Sequence, residues 1–360
     1  MFDERGITMR AIVIDEAQRT MTVGSPSSIT NKSSARDQRM IQEAIQKKRM
    51  VATIAPERAR TIYTTIALAR QNEATAPIDE AAQEQMITAS IWKLFETERG
   101  RIAAALDIPE GETIIVDVHI WEIAINGQTV MNPLTLEPGD VAVTLSATLM
   151  REGEWRVMQR AFGDAFTLVV ESGVSLARQV GKAQSGDALI AIVDERRTKM
   201  YGKQGNWLGY RDGFPWGAGR LKEEVRAQCG VNAEIAEHVV HTYARQMGSS
   251  LFQETIERVM HGELQLLVHG IEHALGKKKP LKEKEAYVAA RWQFPGMPGF
   301  IHQFSSGKAS EELGVRIEWK CGDADIAFEE IMPVIDAYMA PQQREGNAIA
   351  KRYLRWRERS

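Results

Sequence analysis

Two aspartates close apolar runs of the kind that form buried strands. Asp15 follows Met9–Ile14 (MRAIVI), and Asp194 follows Ala188–Val193 (ALIAIV). By itself an acid at a strand end is an ordinary solvent-facing group. Arg196, Arg197 and Thr198 come directly after Asp194, and guanidinium groups in a tight turn can pair with an anion. The other chemistry-bearing residues point nowhere sharp. His269 and His273 stand four apart and could hold a metal, but no acid-bearing HExxH arrangement accompanies them. His261 on the same stretch, and His238 and His241 three apart, read as exposed helix histidines. Ser172-Gly173-Val174-Ser175 lacks the nucleophile-elbow pattern, and there is no Walker sequence. The only cysteines, Cys229 and Cys321, are too few and too far apart for a disulfide framework or a zinc site, and they suit a reducing compartment.

The elements that must position these residues follow from periodicity and turn chemistry. After Ala188–Val193 and the polar turn come Thr198–Tyr201 as a return strand, a bend at Gly205-Asn206 and Trp207–Tyr210 as a third strand. Phe214-Pro215-Trp216-Gly217-Ala218-Gly219 is a tight turn into a helix that ends near Cys229-Gly230, with a second helix from Ala233. Earlier, Thr20–Val23 reads as the hairpin partner of Met9–Ile14, Ser25–Arg36 as a loop, Asp37–Lys47 as a helix and Met50–Ile54 as a strand. Thr61–Ala69 is a β-branched strand. Asp79 N-caps a helix running to Ile102, interrupted near Gly100. Thr113–Ile120, Trp121–Ile125 and Asp140–Met150 are three strand candidates. Leu251–Leu275 is a long amphipathic helix, Tyr287–Trp292 a strand, Phe300–Leu313 a helix, Val315–Trp319 a strand and Ile326–Tyr338 a helix.

The chain has 360 residues, is 44% hydrophobic and carries a formal charge of -3. That suits two or three soluble domains and gives no whole-protein attraction to nucleic acid. The start has no signal-peptide core, and no run of about 18 apolar residues occurs. A cytoplasmic protein is expected, with any membrane contact peripheral.

Three passages resemble the bacterial actin-like proteins of the FtsA and PilM type. The first is Trp207–Glu237, with its Gly217–Gly219 turn and Ala236-Glu237 helix start. The second is Ile108–Met150, with Asn126-Gly127 and Asn132-Pro133. The third is Tyr287–Phe300, placed like the family's adenosine loop. The resemblance implies an α/β, actin-like two-lobe fold (a duplicated ribonuclease-H-like lobe) with an inserted small α+β subdomain. Residues 1–58 and 166–186 would form the first lobe, 59–165 the insert, 187–339 the second lobe, and 340–360 a linker and terminal helix. It also implies that Asp15, Asp194, Arg196, Arg197, Thr198, Gly217, Gly219, Gly296 and Gly299 stand at the nucleotide-binding positions, with the two acids where the family holds magnesium-bound water.

The departures from that family concern glycine. The family's phosphate turns read approximately D-[IL]-G and D-[IL]-G-G-G-[ST]-[ST], against Asp15-Glu16-Ala17 and Asp194-Glu195-Arg196-Arg197-Thr198 here. The adjacent glycines of the adenosine loop give way to Gln293-Phe294-Pro295-Gly296-Met297-Pro298-Gly299. A hairpin holds phosphate by aiming backbone N–H groups at it, which needs positive φ and no Cβ in between. Each such bond is worth roughly 1.5–3 kcal/mol, so losing three or four costs on the order of a thousandfold in affinity. Arg196 and Arg197 would offset part of this; Glu16 and Glu195 would oppose it. No cofactor is therefore expected, with ATP and magnesium as the alternative.

The last residues read AIAKRYLRWRERS. On a helix, Ile349, Tyr353 and Trp356 line one side and Lys351, Arg352 and Arg355 the other, a basic amphipathic pattern. FtsA proteins typically end in such a helix, which implies membrane contact through these six residues. The alternative is a terminal helix packed on its own domain. Three functions follow. One is a pseudo-ATPase adaptor of FtsA type, coupling a division or envelope-assembly machine to the inner membrane. Another is a PilM-like pilus or secretion scaffold, binding a membrane partner's cytoplasmic peptide. The third is a working actin-type ATPase with an arginine clamp. Protein partners are expected in the first two, and a homo-oligomer is possible.

Overall fold

The structure, a computed structural model, describes residues 7–15, 20–29, 39, 42–43, 50–68, 77–136, 139–182, 184, 186–276, 286–290, 293–294, 297–305, 316–319, 328–338 and 343–357. Most of the helix expected over 37–47 lies outside them, as does Gly296. The chain divides into two compact units. Unit 1 comprises Met1–Ala11, Gly24–Ser172 and Pro333–Ser360, and unit 2 comprises Ile12–Val23 and Gly173–Met332.

The first two strands are β1 (Ile7–Asp15) and β2 (Thr20–Ile29), so the Ser-rich segment expected as a loop continues the strand to Ile29. In unit 1 follow β3 (Met50–Ile54) and β4 (Ala59–Leu68), then helix α1 (Glu80–Leu106). Asp79 caps α1 by accepting from the Ala82 N–H at 2.7 Å. Gly100 does not break the helix. It runs on to Asp107, whose left-handed conformation (φ 54°) ends it.

Next come β5 (Thr113–Ile125), β6 (Gln128–Val130), β7 (Val141–Arg151), α2 (Glu152–Phe162) and β8 (Phe166–Glu171). The two strands expected on either side of Trp121 are one. Its pairing with β7 slips between Ile120 and Glu122, which turns the strand without ending it. The order β4-β7-β5-β6 is antiparallel throughout, and β3 runs parallel to β8. Thr61 and the fully buried Glu171 join β4 to β8 reciprocally. Glu171 Oε2 accepts from the Thr61 N–H (3.2 Å), and the Glu171 N–H donates to Thr61 Oγ1 (2.7 Å).

After Ile12–Val23, unit 2 continues with α3 (Val174–Lys182) and the meander β9 (Ala188–Val193), β10 (Thr198–Gln204) and β11 (Trp207–Phe214). Helices α4 (Gly219–Cys229), α5 (Ala233–Ala244) and α6 (Ser250–Gly276) follow, then β12 (Ala286–Ala290), β13 (Ile301–Ser305) and β14 (Arg316–Trp319). The strand order is β11-β10-β9-β12-β13. The first three strands are antiparallel, and β12 and β13 run parallel to β9. That is the order of a ribonuclease-H-like lobe.

Every residue of β9 is buried, as a strand covered on both faces requires. Leu189, Ala191 and Val193 share a core with Leu221 and Val225 of α4, Val240 of α5 and Met260 and Leu267 of α6. The helix expected over Phe300–Leu313 is corrected at its start. Ile301–Ser305 is a strand paired in register with β12, and it buries Ile301 and Phe304. Strand β14 runs parallel to β2, with Arg316 opposite Thr20 and Trp319 opposite Val23.

The chain ends with α7 (Phe328–Tyr338) and α8 (Arg344–Arg357). The terminal segment, expected as a linker and an appended helix, belongs to unit 1, where α8 packs on β5 and α1. Among the described residues no helix is long and apolar enough to cross a membrane.

Candidate functional site

The turn between β9 and β10 brings Asp194, Arg196, Arg197 and Thr198 together with Gly217 and Gly219. Asp194 is at the end of β9, and its carboxylate folds back over its own turn. Asp194 Oδ1 accepts from the N–H groups of Arg196 and Arg197, both at 2.7 Å, and the Asp194 N–H donates to the Arg197 carbonyl at 3.0 Å. This is an Asx turn closing a hairpin without glycine. The second carboxylate oxygen, Oδ2, pairs with the Lys199 ammonium at 3.2 Å, and the Lys199 side chain is 5% exposed.

The Gly turn closes on this hairpin. Thr198 Oγ1 donates to the Trp216 carbonyl (2.8 Å), the Ala218 N–H to the Asp194 carbonyl (2.9 Å) and the Gly219 N–H to the Glu195 carbonyl (2.9 Å). Trp216 is held in turn, its Nε1–H donating to Glu263 Oε2 at 3.0 Å. Glu195 forms an ion pair with Lys222 of α4.

Gly217 and Gly219 have a packing reason to be glycine. A Cβ on Gly217 would lie 2.4 Å from the Arg196 nitrogen and 2.6 Å from the Arg197 nitrogen, and one on Gly219 would lie 2.7 Å from the Glu195 carbonyl oxygen. Both glycines let two turns meet backbone to backbone. Because the obstructing atoms are main chain, Gly217→Ala is expected to cost about 3 kcal/mol, read as a lower urea midpoint. An unchanged midpoint would contradict this packing.

Within this turn the groups are paired with one another: the Arg196 and Arg197 N–H groups are bonded to Asp194, whose carboxylate is shared between them and the Lys199 ammonium. In the segment like the adenosine loop, Phe294 is buried in the unit 2 core, and Gln303 Nε2 donates to its carbonyl at 2.7 Å. Gly299 is exposed in the turn before β13. The side chain of Asp15, which ends β1, lies outside the described residues, as do those of Arg355 and Trp356.

The four membrane-contact candidates whose side chains are described belong to the inner surface or rim of unit 1. Ile349 is buried. Lys351 Nζ donates to the Thr167 carbonyl of β8 at 2.8 Å. Tyr353 packs edge to face on Trp92 of α1, with ring centroids 6.4 Å apart. Only Arg352 is exposed, and it pairs with Glu84 of α1 at 3.1 Å. The expectation that Ile349 and Lys351 face a membrane is thus corrected: the amphipathic pattern arises because the apolar side meets α1 and β5.

Residues that the sequence reading passed over hold this helix. Among the described residues, no strand pairs with the β5 edge before Ile123, because β6 pairs only Ile123–Ile125. Asn347 fills the gap: its Oδ1 accepts from the Ile120 N–H (2.6 Å), and its Nδ2 donates to the Ile120 carbonyl (3.2 Å) and contacts His119 Nε2 (3.3 Å). Gln343 Nε2 donates to the Val130 carbonyl of β6 at 2.7 Å. Asp117 Oδ2 accepts from the Val169 N–H of β8 at 2.6 Å. The available signal was two ionisable residues, Asp117 and His119, inside a nearly continuous apolar run.

Burial pushes the Asp117 carboxyl up to about 6, against the pull of Lys351 and of the Val169 and Val118 amides. The folded chain therefore holds this proton more tightly than the unfolded chain does. The stability it contributes is full below pH about 4 and falls as pH rises to about 6, by at most about 3 kcal/mol. Asp117→Asn is expected to remove that fall. Urea unfolding at pH 4 and pH 7 measures it, and a variant with the same pH slope as the wild type would refute the assignment.

The fold defines the class as an α/β protein whose second unit carries a sheet in the ribonuclease-H-like strand order. No protein-family model and no curated protein matches the chain. Among solved structures, it is similar to a PilM-PilN type IV pilus biogenesis complex at 13% identity, covering 94% of this chain and 96% of that one, with a TM-score of 0.39. It is also similar to the ethanolamine utilization protein EutJ from Carboxydothermus hydrogenoformans (16% identity, 55% and 61% covered, TM-score 0.30). A third likeness is to MreB 5 of Spiroplasma citri bound to AMPPNP (10% identity, 58% and 67% covered, TM-score 0.33).

Proposed function

We propose that this chain is a non-catalytic scaffold that keeps an actin-like lobe and does not use nucleotide. The observation that carries this is the Asp194 carboxylate, bonded at once to the Arg196 and Arg197 N–H groups and to Lys199. An arginine clamp on phosphate would have to break these bonds first. The docking of α8 into unit 1 favours a pilus- or secretion-type scaffold over an FtsA-like adaptor, since the helix that an adaptor would give to the membrane is spent on β5. In this reading the chain works at the inner face of the cytoplasmic membrane by binding a short cytoplasmic peptide of a membrane protein.

Thermal unfolding of the full chain with and without millimolar ATP and magnesium tests the first part. The midpoint is expected to stay within about a degree, whereas saturable stabilisation of several degrees would reject a nucleotide-free scaffold. Co-sedimentation with anionic vesicles tests the second. The full chain is expected to stay in the supernatant; pelleting that Arg355→Glu abolishes would restore the FtsA-like adaptor.

A further inference from the structure

The clasp between α8 and β5 has a protonation requirement. Asn347 is fixed in orientation because it faces both main-chain groups of Ile120: the N–H needs the carboxamide oxygen, and the carbonyl needs the NH2. The NH2 group is therefore the part turned to His119 Nε2. It can only donate there, so Nε2 must be the unprotonated nitrogen and the ring neutral, with its proton on Nδ1. A proton added at Nε2 sets two donors against each other inside a buried cluster, where His119 is 4% and Asn347 8% exposed.

From these contacts we infer that α8 is a proton-sensitive latch. Neutral His119 holds it on the β5 edge, and protonated His119 releases it while the sheet beneath stays folded.

The surroundings leave His119 as the group that sets the sign. On β5, Asp117 stands two residues away on the same face, and Glu122 is bonded to Thr129. On α8, Lys351 is one turn beyond Asn347 and bonded to Thr167. Arg352 pairs with Glu84 of α1 at the exposed rim. Strand β7 contributes Ser146, directly opposite His119, and Thr144 and Thr148, all uncharged. On β8, Glu171 is bonded to Thr61. Burial dominates at Asp117, so acid acting there favours the closed cluster and opposes release. A comparison must therefore hold Asp117 constant.

The latch has the character of a locally opening element. Its inward face combines Gln343, Asn347 and Lys351 with Gly346, Ala350 and Ile349. Such a face buries less apolar surface than α1, so its opening free energy lies below that of the sheet.

Amide hydrogen exchange on the full chain between pH 8 and pH 5 tests this, with protection factors corrected for intrinsic exchange. In the wild type, protection over residues 345–354 is expected to fall at least about tenfold more than in His119→Gln, which keeps an acceptor and cannot titrate. Amides of β7 should keep theirs. Equal falls in both proteins, or parallel loss in β7, would overturn the latch. Asn347→Asp supplies an independent check, because a carboxylate facing His119 accepts from the protonated ring. There the sign reverses, and α8 is expected to be better protected at pH 5 than at pH 8. A variant that still loosens in acid would overturn the assignment as well.

Discussion

Asp194→Ala is expected to cost unit 2 about 3–5 kcal/mol, the usual scale for removing one member of a largely buried ion pair. Two effects add. The N–H groups of Arg196 and Arg197 lose their acceptor where the Gly217 backbone presses on the turn. Lys199, 5% exposed, is left with its ammonium and without the Asp194 carboxylate. Lys199→Met should cost less, about 1–2 kcal/mol, because Asp194 keeps its backbone donors and some contact with water. In the double variant the ammonium that would face the missing Asp194 carboxylate is gone as well, so its loss should fall well short of the sum of the singles. A double-mutant cycle in urea measures this coupling. Simple additivity would mean that Asp194 and Lys199 act separately, and the account of the turn would fail. Total stabilities of single domains are of order 5–15 kcal/mol, so the single alanine variant should be visibly marginal.

The second large effect is in unit 1. Asn347→Leu is expected to lose about 3 kcal/mol, since it removes the partners of both main-chain groups of a fully buried residue, Ile120. Leucine roughly keeps the volume, so the loss comes from unsatisfied polar groups rather than from a cavity. Arg352→Ala provides the contrast. The Arg352–Glu84 pair is exposed on both sides, with side chains 66% and 52% accessible, and its removal should change stability by less than about 0.5 kcal/mol. If the two substitutions cost the same, α8 is held by its rim charges and the β5 clasp is misassigned.

These two sites differ in how far the sequence exposes them. The β9-β10-β11 meander was legible because each piece has a local cause: an all-apolar run, a Gly-Asn bend, a Gly turn into a helix. What glycine does there was not legible. Its scarcity in the hairpin suggested lost phosphate donors, whereas the structure adds that Asp194 takes the donors for itself. That depends on a side-chain rotamer and on Lys199 five residues later, and no periodicity reports either.

The terminal helix shows the opposite case. Its amphipathic pattern was plain, but a pattern names a face and not the surface that face meets. The apolar side of Ile349 and Tyr353 suits a lipid headgroup region and the Trp92–Ile120 surface equally well. Only Asn347, a residue that neither reading needed, distinguishes them, because its carboxamide matches an open strand edge. The same limit applies to Thr113–Ile125. The break expected at Trp121 is a pairing irregularity, which arises from the partner strand and leaves no mark in the strand's own composition. At Ile301–Ser305 a helical expectation failed because the parallel partner, β12, decides the conformation.

Amide exchange at Arg196 and Arg197, followed with and without millimolar ATP and magnesium, tests the central claim most directly. If Asp194 caps its own turn and nucleotide has no place there, both amides are protected in the free protein and their rates do not change when nucleotide is added. Amides that exchange like an open loop and become protected only with ATP and magnesium would contradict the account, because the turn would then be a phosphate cradle waiting for its ligand.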